Sequence, residues 1–289
     1  LAQPAQPLRR AFRDADAPVW AASPRTGWWR LAVFVPALLT TAVIAFALAG
    51  WFTTGGVSGF EKVIVGLVTL NFFWICLGVS TALAGLLNRV MAQAVPADIA
   101  MQGPVQGLHV ALLVPIYNEV PADTMGNAAA MLADLAACRS AHRFTLFILS
   151  DTQDDAIAAE EERVLIRLRA ATDQPVFYRR RAVNTDRKIG NITDWITRWG
   201  GAYGAMVVLD ADSLMSAGAL NGLADAMARD PSAGLIQSMP LLIGARSLFA
   251  RLQQFSSAAY GGLLAEGLAR WSDGEGNYWG HNAIIRTAA

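Results

Sequence analysis

The sequence predicts an α/β fold, a mostly parallel sheet with flanking helices, preceded by two membrane-length helices. Three observations predict it. Two long, charge-free apolar runs occupy the first third of the chain. From His109 onward, short and nearly continuous apolar strings alternate with stretches of helical periodicity. The composition is 54% hydrophobic and 16% charged, whereas an average soluble domain is about a quarter charged.

The chain has 289 residues, room for one large or two ordinary domains. Its formal net charge is zero, so no global field recruits nucleic acid, and none is expected as a partner. Cys76 lies inside an apolar run and Cys138 in a helical stretch; two thiols so placed read as buried rather than as a disulfide or zinc site. The chain opens at Leu1 and closes at Ala289, after IIRTAA and in mid-pattern, which reads as a piece of a longer protein.

Residues 1–30 carry Arg9, Arg10, Arg13, Arg25 and Arg30, and form the expected cytoplasmic N-terminal segment. Within residues 31–89 lie the runs Leu31–Trp51 and Val63–Leu87. At a rise of about 1.5 Å per residue, about 20 residues cross a hydrocarbon core of about 30 Å. A signal peptide fits poorly, because it has a shorter core and no second long run behind it. The competing reading is a pair of buried core helices. Trp28, Trp29 and Trp51 sit at the run edges, where amphipathic rings prefer the interface. The link TTGGVSGFEK holds one Lys and one Glu, while arginines precede the first run and Arg89 follows the second. Both ends are therefore expected in the cytoplasm and the link in the periplasm. Asn71, polar within the second run, reads as helix–helix glue. Residues 90–108 hold Pro, Gly and Gln without a period and read as a linker.

Residues 109–289 are expected to form a cytoplasmic domain. Its strands are HVALLVPIYNE, FTLFILSD, PVFYRRR, AMVVLDAD and AGLIQSMP. The helices TMGNAAAMLADLAAC, DAIAAEEERVLIRLRAA, KIGNITDWITRWG and AGALNGLADAMARD lie between them. Strands apolar on both faces imply a buried, largely parallel sheet. Right-handed crossovers then give a doubly wound arrangement with its ligand crevice at the carboxyl strand ends.

Those ends carry chemistry. The first strand delivers Pro115, Tyr117, Asn118 and Glu119; the second, Asp151 with Asp154 and Asp155. The third leads into Arg179, Arg180, Arg181, Arg187 and Lys188; the fourth runs into Asp210, Ala211 and Asp212. Asp154 and Asp155 read as helix-capping acids. Asp151, at a strand tip, reads as functional. The arginines are cations for phosphate or else a solvated face. Lys188 opens a helix, where a cation opposes the macrodipole, a misfit that favours a bound anion. Two carboxylates one residue apart at a strand end can hold a hard divalent cation and, through it, a diphosphate. No G-x-G-x-x-G follows the first strand, which excludes a dinucleotide-binding dehydrogenase.

The set V-P-I-Y-N-E, S-D, R-K-x-G-N and L-D-A-D resembles family-2 glycosyltransferases. NTDRKIGNITDWITRWGGAYGAMVVLDADSLMS and GEGNYWGHNAIIR resemble the membrane glucosyltransferases that build osmoregulated periplasmic glucans, and the likeness covers essentially the whole chain. The resemblance implies a nucleotide-sugar-binding sheet of the glycosyltransferase A type in the bacterial inner membrane, with the catalytic domain cytoplasmic. It implies inverting transfer of glucose from UDP-glucose to a growing β-glucan, with Mg2+ or Mn2+. It puts Pro115, Tyr117, Asn118 and Glu119 beside the nucleotide, Asp151 at uracil or ribose, and Lys188 near base and diphosphate. Asp210, Ala211 and Asp212 fall at the sugar–diphosphate, with Asp212 and Asp210 on the metal. Trp279, Gly280, His281 and Asn282 fall on the acceptor side. His281 is read first as an acceptor-pocket or structural histidine and second as a general base. The family's acidic base motif, its Q-x-x-R-W motif and its further membrane spans are not found after Arg286. The resemblance therefore implies that the catalytic base lies beyond Ala289. The expectation is that residues 1–289 bind donor but transfer glucose poorly, with C-terminal transmembrane helices among their partners.

Two other readings stand beside this one. A second is another family-2 polysaccharide synthase. A third is a membrane-tethered nucleotide-sugar sensor. The stretch Ser247–Trp271 places Leu248, Phe249, Leu252, Phe255, Tyr260, Leu263, Leu264 and Leu268 at helical spacing. It reads equally as a helix on the membrane surface or as one packed on the sheet or on further spans.

Overall fold

The computed structural model describes residues 23, 25–52, 55, 56, 58–92 and 105–288. Arg9, Arg10 and Arg13, most of the expected linker, and Ala289 lie outside the described residues. By its internal contacts the chain falls into two compact units, a sheet unit and a helical unit, and the helical unit includes Met239–Asn277.

The sheet unit is built as its strand pattern dictates. The strands are β1 (His109–Ile116), β2 (Arg143–Ser150), β3 (Val176–Arg180), β4 (Ala205–Val208), β5 (Leu235–Gln237) and β6 (Ala283–Arg286), in the order β3-β2-β1-β4-β6-β5. The first four are mutually parallel. Residues alternate between two cores. Val110, Leu112 and Val114 of β1 face α3 (Pro121–Ala137), α4 (Asp155–Ala170) and α6 (Ala217–Arg229). Ala111 and Leu113 face the other core, where Trp195 of α5 (Arg187–Trp199) is fully buried. Burial on both faces explains the lack of polar alternation in these strands. β6 departs from the expected parallel pattern: it runs antiparallel to both β4 and β5. Four residues following a glycine-rich segment give too short a pattern to show direction.

The helical unit holds α1 (Thr26–Phe52) and α2 (Gly59–Ala92), with α7 (Leu248–Ser256) and α8 (Gly262–Ser272) joined by a π-helical turn, Ser257–Gly261. Thr26–Phe52 and Gly59–Met91 are long and apolar enough to cross a membrane. Only a narrow stripe of α1 is buried, Thr26, Val33, Ala37 and Thr41, while Leu38, Leu39, Val43 and Phe46 are exposed. A soluble core helix usually buries most of such residues.

The α8 half of the stretch Ser247–Trp271 lies on α1 and α2, the two apolar helices of its own unit. Glycines allow the approach: a Cβ at Gly85 would stand 1.8 Å from the Leu263 carbonyl oxygen, and one at Gly267 1.8 Å from that of Thr81. Polar ties hold its ends. Arg89 Nη2 donates to Glu266 at 2.5 Å, and Arg30 donates to Glu275 at 2.8 Å and to the Trp271 carbonyl at 3.0 Å. Asp273 accepts from Thr26 Oγ1 at 2.7 Å, and Trp271 meets Phe34 edge-on at 5.2 Å. Cys138 is exposed at the end of α3 and Cys76 only half-buried, against the expectation of two buried thiols.

Candidate functional site

The parallel strands place their carboxyl ends on one edge, with Ile116 beside Ser150 and Ser150 beside Arg180. A cleft of about 640 Å³ opens there. Pro115, Tyr117, Glu119, Asp151, Lys188, Asp210, Ala211 and Asp212, all expected from sequence, line it, together with Ile116, Asn184, Arg187 and Asn191. Asn118 does not. Its left-handed backbone (φ 52°) turns the side chain into the loop, where Oδ1 accepts from the Gln153 and Asp154 amides at 3.1 and 3.3 Å. It ties the end of β1 to the end of β2, from a backbone region that Asn tolerates.

Asp151 is 3% exposed and grips Arg181 in a two-pronged ion pair, both N···O distances 2.6 Å. Arg181 also donates to the carbonyls of Thr185 and Arg187, each at 3.1 Å. Asp186 and Arg187 in that loop are both left-handed, φ 55° and 49°, a conformation costing non-glycine residues of order 1–3 kcal/mol each. The strained turn aims Arg187 and Lys188 into the cleft, and Arg181 braces it. Gly190 follows because a Cβ there would stand 2.1 Å from the Thr185 oxygen. Asn191, 1% exposed, donates to the Leu149 carbonyl at 2.9 Å and accepts from Arg179 at 2.7 Å. The spacing R-K-x-G-N is thus a device for folding a tight loop back onto a helix start.

The arginines expected as phosphate cations are otherwise engaged. Arg179 bonds Asn191 and Asp194, Arg180 bonds the Thr152 carbonyl and Asp155, and Arg181 holds Asp151. Asp154 caps α4, accepting from the Ala156 and Ile157 amides at 2.8 and 3.1 Å. Fully buried Glu161 accepts from Thr152 Oγ1 at 2.5 Å and Tyr178 Oη at 2.8 Å. Burial first, then that bond to Glu161, pushes the Tyr178 phenol up.

Lys188 donates to Asp210 Oδ1 and, at 3.1 Å, to the Gly280 carbonyl. Asp210 sits in a tight turn closed by Ser213, whose Oγ accepts from its amide at 3.0 Å. Asp212 is exposed and makes no side-chain hydrogen bond or ion pair among the described residues. Trp279, Gly280, His281 and Asn282 do not line the cleft but stand at its edge. The Asn282 amide donates to the Val208 carbonyl at 2.7 Å, the Trp279 amide to Gln237 at 3.1 Å, and His281 Nε2 lies 3.9 Å from Asp210 Oδ2. Gly280 (φ 98°) and Asn282 (φ 52°) make the bends this needs. His281 Nδ1 and Asn282 Oδ1 are buried without a partner among the described residues. Burial, and then the charge of Asp210, push the Tyr278 phenol up to about 12, so it stays neutral at physiological pH. No Asp or Glu stands between Gly276 and Ala289. Ala289, beyond which the base is expected, itself lies outside the described residues.

A family model described as glycosyl transferase family 2 matches residues 111–289. The chain belongs to this family. Curated relatives carry the name "Glucans biosynthesis glucosyltransferase H". One from Caulobacter vibrioides is 43% identical over 87% of this chain and 39% of its own length. One from Rhodopseudomonas palustris is 40% identical over 100% and 41%, and one from Vibrio cholerae 43% identical over 91% and 36%. The chain therefore spans about two fifths of the length of the curated relatives it matches. A solved mannosyltransferase from Pyrobaculum calidifontis, in complex with GDP-Man and Mn2+, aligns with a TM-score of 0.37 at 17% identity, over 56% of this chain and 45% of that one.

The family-2 match runs through the whole cleft and also covers 239–277, which belong to the helical unit. Among the described residues no three His, Cys, Asp or Glu side chains gather into a metal cage. A family-2 cleft of this kind still suits a hard cation. Asp210 and Asp212 supply carboxylate oxygens alone, and Mg2+-like ions are commonly held by one or two carboxylates plus the phosphates of a ligand. Asn184 and the bracing role of Arg181 were not visible in the sequence, and Asn191 entered it only as the last letter of R-K-x-G-N, without a role of its own.

Proposed function

We propose that this chain carries the donor site of a membrane-bound family-2 glucosyltransferase. It would transfer glucose from UDP-glucose, with inversion, to a growing β-glucan of the osmoregulated periplasmic type. The observation that carries the reading is one cleft in which Arg187 and Lys188 face Asp210 and Asp212, with Asp151 at its far strand end. Cations at a helix start and acids at a strand end are complementary to a diphosphate and its counter-ion.

In this reading Pro115, Tyr117 and Glu119 border the base. Asp151 meets uracil or ribose with lone pairs that Arg181 leaves open, since each carboxylate oxygen can accept twice. Arg187 and Lys188 meet the diphosphate. Asp212, with Asp210, holds Mg2+ or Mn2+, whose chemistry when bound is to neutralise charge on the departing diphosphate. Trp279 to Asn282 border the acceptor, His281 as a pocket residue. The acids of the cleft are all engaged with the donor, so the acceptor proton falls to a base outside that set, proposed to lie beyond Ala289. Calorimetric titration of UDP-glucose into the detergent-solubilised chain is expected to show one-to-one binding, tightened about tenfold or more by Mn2+, which is about 1.4 kcal/mol or more. No binding would overturn the donor reading, and binding indifferent to Mn2+ the metal reading.

The two apolar helices are proposed to span the bacterial inner membrane, with the sheet unit cytoplasmic. Leu241, Leu242, Ile243, Leu248, Phe249, Leu252 and Phe255 are all exposed, and no Asp or Glu stands between Asp230 and Glu266. With α8 fixed to α1 and α2 at Arg30 and Arg89, this segment suits the headgroup boundary. A nitroxide on Phe249→Cys, with Cys76→Ala and Cys138→Ser, is expected in liposomes to relax faster with oxygen than with a water-soluble nickel complex. The reverse order would place α7 in water.

A further inference from the structure

Lys188 opens α5, where the orphan amides of a helix disfavour a cation. Its ammonium is nevertheless held, and by oxygens alone: Asp210 Oδ1 and, at 3.1 Å, the Gly280 carbonyl. The second Asp210 oxygen faces His281 Nε2 at 3.9 Å, and Asp212 stands beside it without a side-chain partner among the described residues. A compact cation among hard oxygen donors is what a divalent ion at this turn would also demand. The two cannot share Asp210 comfortably, because positive charges on one carboxylate repel each other.

We propose that Lys188 is an internal cation standing in the metal position of the Asp210–Asp212 turn, and that it releases Asp210 when a diphosphate arrives to take the ammonium. The proposal rests on the metal-dependent donor site above and adds its regulation. Metal and nucleotide enter together, and neither binds well alone. The loop supports such a swing. Lys188 is 38% exposed, and its strained neighbours are braced by Arg181 rather than by Lys188 itself. By linkage, whatever the nucleotide gains from freeing the ammonium, the metal gains from freeing Asp210.

The test is the affinity of the full chain in detergent for Mn2+ alone, read from the electron paramagnetic resonance signal of free Mn2+. Lys188→Met is expected to bind nucleotide-free Mn2+ about tenfold more tightly than the wild type, within the usual range of coupling between sites. Adding UDP should then improve Mn2+ binding by a correspondingly smaller factor than it does in the wild type. Arg187→Gln removes a charge from the same cleft, but one that makes no ion pair among the described residues, and should change Mn2+ affinity less than about twofold. Equal gains in both variants would mean general electrostatics and overturn the proposal, as would no gain in Lys188→Met. If Asp210→Asn and Asp212→Asn keep wild-type Mn2+ affinity, the metal site itself is wrong and the proposal falls with it.

Discussion

Asp212→Asn is expected to abolish the Mn2+ dependence of UDP-glucose binding, weakening the metal-loaded affinity by the factor of about ten or more that Mn2+ confers, about 1.4 kcal/mol or more. Asp212 is exposed and its carboxylate bonds no other described residue, so an amide of the same shape should leave the fold within about 0.5 kcal/mol of the wild type. The loss would therefore report on a ligand interaction rather than on packing. Asp210→Asn is a poorer probe, because it also releases Lys188. Calorimetry with and without Mn2+ on both proteins decides the matter. An Asp212→Asn protein that still responds to Mn2+ like the wild type would remove this carboxylate from the metal.

Arg181→Leu is expected to be the most destabilising single change at the cleft. It strands Asp151, 3% exposed, without its counter-charge. Breaking a buried ion pair from one side costs about 3–5 kcal/mol. It also removes the donor to two carbonyls of a loop whose left-handed residues are already strained. Amide hydrogen exchange in β2 and β3 should accelerate by about two to three orders of magnitude or more. Arg181→Lys keeps the charge but cannot grip both carboxylate oxygens, and should fall between. Unchanged exchange in Arg181→Leu would show that Asp151 finds solvent or another partner at little cost.

The parallel half of the sheet was legible because β1, β2 and β4 are buried on both faces and so read as apolar strings. Their exits were legible too, because a charged residue directly after such a string has only the sheet edge to occupy. Partnership was not. Three arginines in a row read as phosphate cations or a solvated face, yet each is spent on Asn191, Asp155 or Asp151, and nothing in a one-dimensional pattern reports which carboxylate faces which guanidinium. The lodging of Lys188 on Asp210 spans β3, α5 and β4 and depends on the loop that Arg181 holds. The place of α8 was hidden for another reason: Gly85 and Gly267 act by being small, and a glycine in a helix carries no sign of what comes near it.

The strand order has a consequence for how this protein is made. Among the described residues β5 pairs only with β6, and β6 pairs with β4. The parallel core of β1 to β4 can assemble as soon as β4 leaves the ribosome, whereas β6 is synthesised only after the whole excursion through α7 and α8. Gly280 and His281 are then set in place only after that edge has formed. A nascent chain would hold a formed sheet edge with an open rim, and the site would be completed only once the helices beside α1 and α2 had been made.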